Sequence, residues 1–410
     1  MYVPKLIMTV GVFTVAIAGC SSAESATEVP AESTAGAART GSDLAAEAGS
    51  TEVEGPEPRL VIADADSGRI EVIDLTTDES VGSFDVGNPA QLTTVNGRYI
   101  VAVDGEGGRV DFLDPGSWTI EHGDHSHSYI KNPATIGSLE GEDPNYIVTG
   151  DRKVAVFYDG TGTADVVDFD TLSKGEVTVA TTIDALAPHR GIAVPVSDQY
   201  VVSRGGDEDD VPNTLELHNE AGELVRTLDG ACPEMHGAAV FSRYFVLACD
   251  DGVLKVEDDF TTAKLPYPTV GNRAWSFDHQ GKGAIVSAAT AEGVLALDTR
   301  SGRWVEAKTA DETLASGVSG DGKTIFSLQT DGTFRTFDGV TGAELSSTPV
   351  LSARYDEDGP VPSVQVGGNR VYVSDPVTDT VVEIDYRDAG RISRTLDLGF
   401  SPASVGVVGA

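Results

Sequence analysis

From Arg59 onward the chain alternates apolar and polar positions in short runs, and the runs repeat. A short segment ending in Asp or a substitute appears as Ile70-Glu-Val-Ile-Asp74, Val110-Asp-Phe-Leu-Asp114 and Ala164-Asp-Val-Val-Asp168. It returns as Leu215-Glu-Leu-His218, Val253-Leu-Lys-Val-Glu257, Val294-Leu-Ala-Leu-Asp298, Phe334-Arg-Thr-Phe-Asp338 and Val381-Val-Glu-Ile-Asp385. A period of two marks strands rather than helices. Two copies run into matching turns, Asp298-Thr-Arg-Ser-Gly302 and Asp338-Gly-Val-Thr-Gly342. Asp suits such turns because its carboxylate takes nearby backbone N–H groups, and Gly because it accepts positive φ.

The copies lie roughly 40 to 54 residues apart, each preceded by one or two further strand-like runs such as Arg98-Tyr-Ile-Val-Ala-Val103 and Arg370-Val-Tyr-Val-Ser374. Four short strands per period of this length is the signature of a propeller blade. Long amphipathic helical patterns are missing, which argues against a parallel α/β fold. The reading is therefore an all-β protein, a single β-propeller domain over residues 59–410. Eight blades are expected, or seven if one repeat is decorative. Blade 1 starts at Arg59 one strand short, and the C-terminal run 401–408 is expected to supply that strand and close the ring.

The N-terminus follows a different grammar. Lys5 precedes an uncharged, mostly apolar stretch from Leu6 to Ala18, then Gly19-Cys20. This is the layout of a secretory signal peptide. About thirteen such residues are too few to span a bilayer core. Ile17-Ala-Gly-Cys20 fits a bacterial lipobox, so residues 1–20 are expected to be removed up to a lipidated Cys20. Residues 21–58 contain no aromatic side chain and are mostly Ala, Glu, Ser, Thr and Gly. Such a segment buries too little apolar surface to offset its ordering entropy, and it reads as a disordered acidic tether. The protein is accordingly expected to be exported and lipid-anchored, on the outer face of the cytoplasmic membrane or in the periplasm.

A formal net charge of −37 excludes a basic patch for nucleic acid or anionic lipid. It favours a soluble monomer and concentrates cations near the surface, although a saline habitat explains such acidity equally well. Besides Cys20, the only cysteines are Cys232 and Cys249, an isolated pair in an oxidising compartment that reads as a structural disulfide.

The histidines carry the candidate chemistry. In a propeller the loop from the outer strand of one blade to the inner strand of the next shares a face with the loop between the second and third strands. By that geometry His122-Gly-Asp-His-Ser-His127, Pro188-His-Arg-Gly191 and Cys232-Pro-Glu-Met-His-Gly237 are all expected on one face near the axis, on consecutive blades. Neutral imidazoles around one point suit tetrahedral zinc. His125, His127, His189 and His236 are the expected ligands, with His122 and Asp124 as further candidates. The plain alternative is a set of solvated and core histidines, which is the reading adopted for His218 and His279. The acidic loops Gly205-Gly-Asp-Glu-Asp-Asp210 and Asp250-Asp251 read as solvated charge that attracts cations, and a disulfide between Cys232 and Cys249 would stiffen the loop bearing His236.

Together the His-x-His loop, Pro-His-x-Gly, Val156-Phe-Tyr-Asp-Gly-Thr-Gly162 and Cys-Pro-x-x-His-Gly resemble AztD-type zinc metallochaperones. The resemblance implies a periplasmic propeller that binds zinc through the matching histidines His125, His127, His189 and His236. It further implies a partner, the zinc-receiving solute-binding protein of an ABC importer. Two other classes compete. A metal-dependent hydrolase or lyase would need a general base, for which Glu234 is a candidate, yet neither a Gly-x-Ser-x-Gly elbow nor a phosphate-binding glycine loop is found. A metal-independent interaction scaffold would leave the histidines without a role. The sequence favours a zinc carrier and not an enzyme.

Overall fold

The computed structural model describes residues 47–205, 213–280, 283–355 and 359–410. The signal peptide, the lipobox with Cys20 and most of the acidic loop 205–210 lie outside the described residues. Eight four-stranded antiparallel sheets follow one another along the chain, the arrangement of an eight-bladed propeller. Six are built from four consecutive strands; blade 2 takes Gln91–Val95, Tyr99–Asp104, Arg109–Asp114 and, after an insertion, Ala134–Glu140 as strands A to D. In blade 1 strand A comes from the far end of the chain: Pro402–Val408 pairs antiparallel with Arg59–Asp64, Arg59 opposite Val408. The expected closure by the C-terminal strand is thus observed.

Every recurring segment of the sequence is a strand C, and its terminal Asp has a local task. Asp74 Oδ1 accepts from the N–H groups of Thr76 (2.8 Å) and Thr77 (3.1 Å). Asp338 Oδ1 does the same for Val340 and Thr341 at 3.0 and 2.8 Å, and these bonds lower its carboxyl below the usual range. Asp298 and Asp385 accept in the same way, and such an Asp ends its strand by offering the backbone a better partner than the next strand position.

Strands B and C are apolar on both faces because each blade is sandwiched between two others. Leu60 and Ile62 of blade 1 face blade 8, where Tyr372 and Val381 meet them. Val61 and Ala63, one position out of phase, face Ile100, Ala102 and Leu113 of blade 2. Val101 and Phe112 then carry blade 2 onto Val154 and Val156 of blade 3. The core is therefore a ring of inter-blade layers rather than one central mass. Outer strands face water, as in Leu224–Thr227, exposed along its whole length.

Two elements depart from this scheme. A hairpin, Ser117–Glu121 with Ser126–Ile130, is inserted between strands C and D of blade 2. Thr51–Val53 adds to it as a third strand, with Thr51 opposite Ile130, Glu52 opposite Tyr129 and Val53 opposite Ser128. Residues 47–58, expected to belong to the disordered tether, are instead ordered against the propeller. Ladder bonds and ion pairs replace the apolar burial that their composition lacks.

Deleting residues 402–410 leaves blade 1 with three strands and uncovers Leu60 and Ile62. Calorimetry of this variant is expected to show loss of the single cooperative transition. An unchanged transition would mean that ring closure does not hold the blades together.

Candidate metal centre

The inserted hairpin is built to present histidines. His122 N–H donates to His125 O at 2.8 Å, leaving Gly123-Asp124 as a two-residue loop. Gly123 sits at φ +86°, in the first central position, where such loops favour glycine. Residues two apart along a strand, and residues directly opposite, share a face. His125 and His127 therefore lie on one side with His122, which stands opposite His125. The three ring centroids form a nearly equilateral triangle with sides of 5.3, 5.3 and 5.1 Å.

Two of these imidazoles are held by carboxylates. His125 Nδ1 lies 2.7 Å from Asp124 Oδ1, and His127 Nδ1 lies 2.6 Å from Glu52 Oε1. A neutral ring that donates from Nδ1 carries its lone pair on Nε2, and a carboxylate on the far nitrogen is the usual support of a metal-binding histidine. All three rings reach solvent, with the His125 side chain 57% exposed. Among the described residues no group of three or more His, Cys, Asp or Glu side chains already gathers its donors around one point. The triad has the ring spacing of a site, and closing it requires rotation of exposed side chains.

The hairpin stands on a rigid base. Trp118 stacks on Tyr129 at 5.5 Å between centroids, and His127 follows Tyr129 at 6.5 Å. Beneath Trp118 the Arg98 guanidinium lies 3.8 Å from the ring centroid. Arg98 is only 2% exposed and is saturated with acid, bidentate to Glu47 at 2.7 Å for each bond and 2.7 Å from Asp114. Lys131 bridges the same two carboxylates at 2.9 and 2.8 Å. Burial alone would raise the Glu47 carboxyl, but the bonds from Arg98 and Lys131 win and hold it below its ordinary value.

His189 and His236 are elsewhere. The hairpin leaves the end of a strand C, whereas the loops of His189 and His236 each lead from a strand D into the next strand A. Successive strands run antiparallel, so these loops open on opposite faces of the propeller. The expected four-histidine site is thereby divided. The cause is that residues 122–127, expected in a loop from an outer strand to the next inner strand, lie in an insertion ahead of strand D of blade 2, which is Ala134–Glu140.

On the second face His189 is a satisfied core residue, 4% exposed. Its Nδ1–H donates to Ala187 O at 2.7 Å and its Nε2 accepts from the Ser203 hydroxyl at 2.9 Å. His236 lines a cavity of about 300 Å³ with Asn145, Tyr146, Asp159, Arg190 and Met235. Asp159 accepts from Asn145 Nδ2 (2.6 Å) and Gly191 N–H (3.1 Å), and burial raises its carboxyl despite both. The neighbouring loop is tied by the expected disulfide between Cys232 and Cys249. Asp250 and Asp251, expected as free charge, pair with Arg273 and Lys264. A larger depression of about 870 Å³ on this face brings Asp104 and Glu106 beside Pro89 and Pro360, and no histidine lines it. His218 and His279, expected to be structural, donate to Gly222 O and Val240 O at 3.0 and 3.2 Å.

The residue that sequence reasoning missed is Glu52. Its only signal was the alternation of Thr51-Glu-Val53 within a low-complexity stretch.

An eight-bladed propeller with an exposed histidine triad on an insertion from blade 2 defines the class. No known family profile matches the chain. It is 27% identical over 345 residues to the zinc chaperone AztD of Citrobacter koseri, covering 80% of this chain and 81% of that protein. Crystal structures of Citrobacter koseri AztD, one of them the apo protein, superpose with TM-scores of 0.78 and 0.79 at 24% identity, covering 86% and 87% of this chain and 98% of each of theirs. A dihydro-heme d1 dehydrogenase, NirN, shares the fold more distantly, with a TM-score of 0.59 at 15% identity over 86% of this chain and 75% of its own. The resemblance read from the sequence is borne out: along four-fifths of its length the chain is similar to a zinc chaperone.

Burial holds the His236 imidazole below its ordinary pKa, and the Arg273 and Arg190 charges add to this against a smaller opposing effect of Glu234. Arg273→Ala is expected to raise the His236 titration midpoint, followed by NMR of the ring protons. An unmoved midpoint would show that Arg273 contributes nothing to the depression.

Proposed function

We propose that this protein is an extracytoplasmic zinc carrier, a metallochaperone and not an enzyme, that takes zinc on the triad His122, His125 and His127 and passes it to the solute-binding protein of an ABC importer. The observation that carries the reading is the ring spacing. With Zn–N bonds of roughly 2.0–2.1 Å, three imidazoles at tetrahedral angles have centroids about 5 Å apart. The triad stands at 5.1 to 5.3 Å before any metal is placed. The relative's name, a zinc chaperone, points the same way.

Three histidines leave a fourth position for water or an incoming ligand. On an exposed hairpin that position is open to a partner, so transfer proceeds by ligand exchange: a donor from the acceptor protein enters as one imidazole leaves. Glu234, the base considered for a zinc hydrolase, lies on the opposite face from the triad. The lipid anchor at Cys20 and the monomeric state belong to the same proposal. No helix among the described residues is long and apolar enough to cross a membrane.

The test is competition titration with zinc. The intact protein is expected to bind one zinc tightly. Replacing His122, His125 and His127 with alanine is expected to abolish that binding, and replacing His189 and His236 is expected to leave it within about threefold. Loss of zinc in the second variant alone would move the site to the other face and overturn this assignment.

A further inference from the structure

The N-terminal segment is more than a link to the propeller, because it delivers a carboxylate to the histidine hairpin. Thr51–Val53 runs antiparallel to Ser126–Ile130 with Glu52 opposite Tyr129. That register puts the Glu52 side chain on the histidine face, diagonal to His127, and Oε1 reaches Nδ1 at 2.6 Å.

The segment has little apolar reason to stay there. Thr51 and Glu52 are exposed, and Val53 is only half-buried. It is held instead at its ends and through its middle. Glu47 is locked into the Arg98–Lys131 cage before the strand. After it, the Ser117 hydroxyl donates to Glu57 O at 2.5 Å, and the Arg59 guanidinium donates to Lys131 O at 2.9 Å. Between these anchors the Glu52–His127 contact joins side chains across the strand pair. A three-residue edge strand without a buried face is weakly held, so this contact is a sizeable part of what seats it.

We propose that Glu52 is a positioning residue of the metal centre, carried to it by the N-terminal segment, so that seating of the segment and loading of the hairpin reinforce each other. The inference rests on zinc binding at the triad. A metal on Nε2 draws electron density from the ring and makes Nδ1–H a stronger donor to Glu52. Conversely, Glu52 fixes the ring's rotamer and the nitrogen that faces the metal. Coupling of this kind is reciprocal: whatever seats the strand tightens zinc, and zinc tightens the strand. The segment that leads back toward Cys20 thereby becomes part of the cargo site, and a partner that lifts it from the hairpin edge would loosen the metal at the same time.

The full chain serves for the test. Zinc affinity is measured by competition for the wild type, Glu52→Ala, Glu47→Gln and the triple alanine variant of the triad. Hydrogen exchange at the amides of residues 51–53 is followed with and without zinc. Glu52→Ala is expected to weaken zinc by about 10- to 100-fold, the usual effect of losing such a carboxylate, with the thermal transition of the propeller unchanged. Glu47→Gln, which loosens the anchor and leaves the three histidines and Glu52 in place, is expected to weaken zinc by a smaller factor. Zinc is expected to slow exchange at residues 51–53 in the wild type and not in Glu52→Ala. Unchanged affinity in Glu52→Ala, or exchange that zinc does not slow, overturns the inference while leaving the triad in place. Zinc binding that survives in the triple variant overturns the triad itself.

Discussion

Burial of the second and third strands of every blade on both faces is the constraint from which the rest follows. A sheet with one apolar face needs one partner, but a strand such as Arg59–Asp64, with Leu60 and Ile62 turned one way and Val61 and Ala63 the other, needs two. That demand is met for all eight sheets only in a closed ring, which explains why the last strand returns to the first blade. It also leaves the loops and outer strands free of packing duties. Chemistry in this fold is therefore expected at the faces, where an insertion costs the inter-blade layers nothing.

The inserted hairpin uses that freedom while borrowing rigidity from the ring. Its link is Arg98, a buried cation between Glu47, Asp114 and the Trp118 ring. An arginine taken out of water is favourable only when its donors are met and its charge is balanced. Two carboxylates achieve this here, and Lys131 offsets the second of them. The cluster ties together strand B of blade 2, the end of its strand C, the second arm of the hairpin and the N-terminal segment. Removing a single partner would strand charge in a closed site, so the four parts are expected to stay together. The histidines stand four to six residues beyond Trp118 and Lys131, close enough to inherit a defined face and far enough out to turn.

Much of this was legible from residues alone, for identifiable reasons. Strand C announces itself in every blade because it is buried on two sides, and in six of the eight it ends on an Asp, which binds the turn at Asp74 and Asp338. Outer strands carry no such mark. Leu224–Thr227 is exposed throughout, and Ser117–Glu121 alternates like an outer strand although it belongs to the hairpin. An insertion ahead of strand D therefore left no mark, and His122, His125 and His127 were expected on the face of His189 and His236. The Cys232–Cys249 pairing was accessible by elimination among three cysteines. Glu52 was not, because composition describes what a segment can bury, and this segment is held by ladder bonds and charge instead.

The contrast between the triad and His189 separates the histidines proposed to carry zinc from a structural one. His189 has the Nδ1–carbonyl bond that often accompanies a metal ligand, yet its Nε2 is filled by Ser203 inside the protein. Using it as a ligand would mean breaking that bond and bringing a cation into a nearly closed interior. The triad faces neither cost, since its rings reach solvent and the Nδ1 atoms of His125 and His127 rest on carboxylates at the surface. Ligands for a cargo that must leave have to be oriented enough to capture it and open enough to be replaced. A two-strand insertion bordered by a loosely held third strand meets both conditions, whereas the blades, packed on two sides, meet only the first. The net charge of −37 fits this division, because a diffuse negative field gathers cations without selecting among them, and selection is left to the imidazoles.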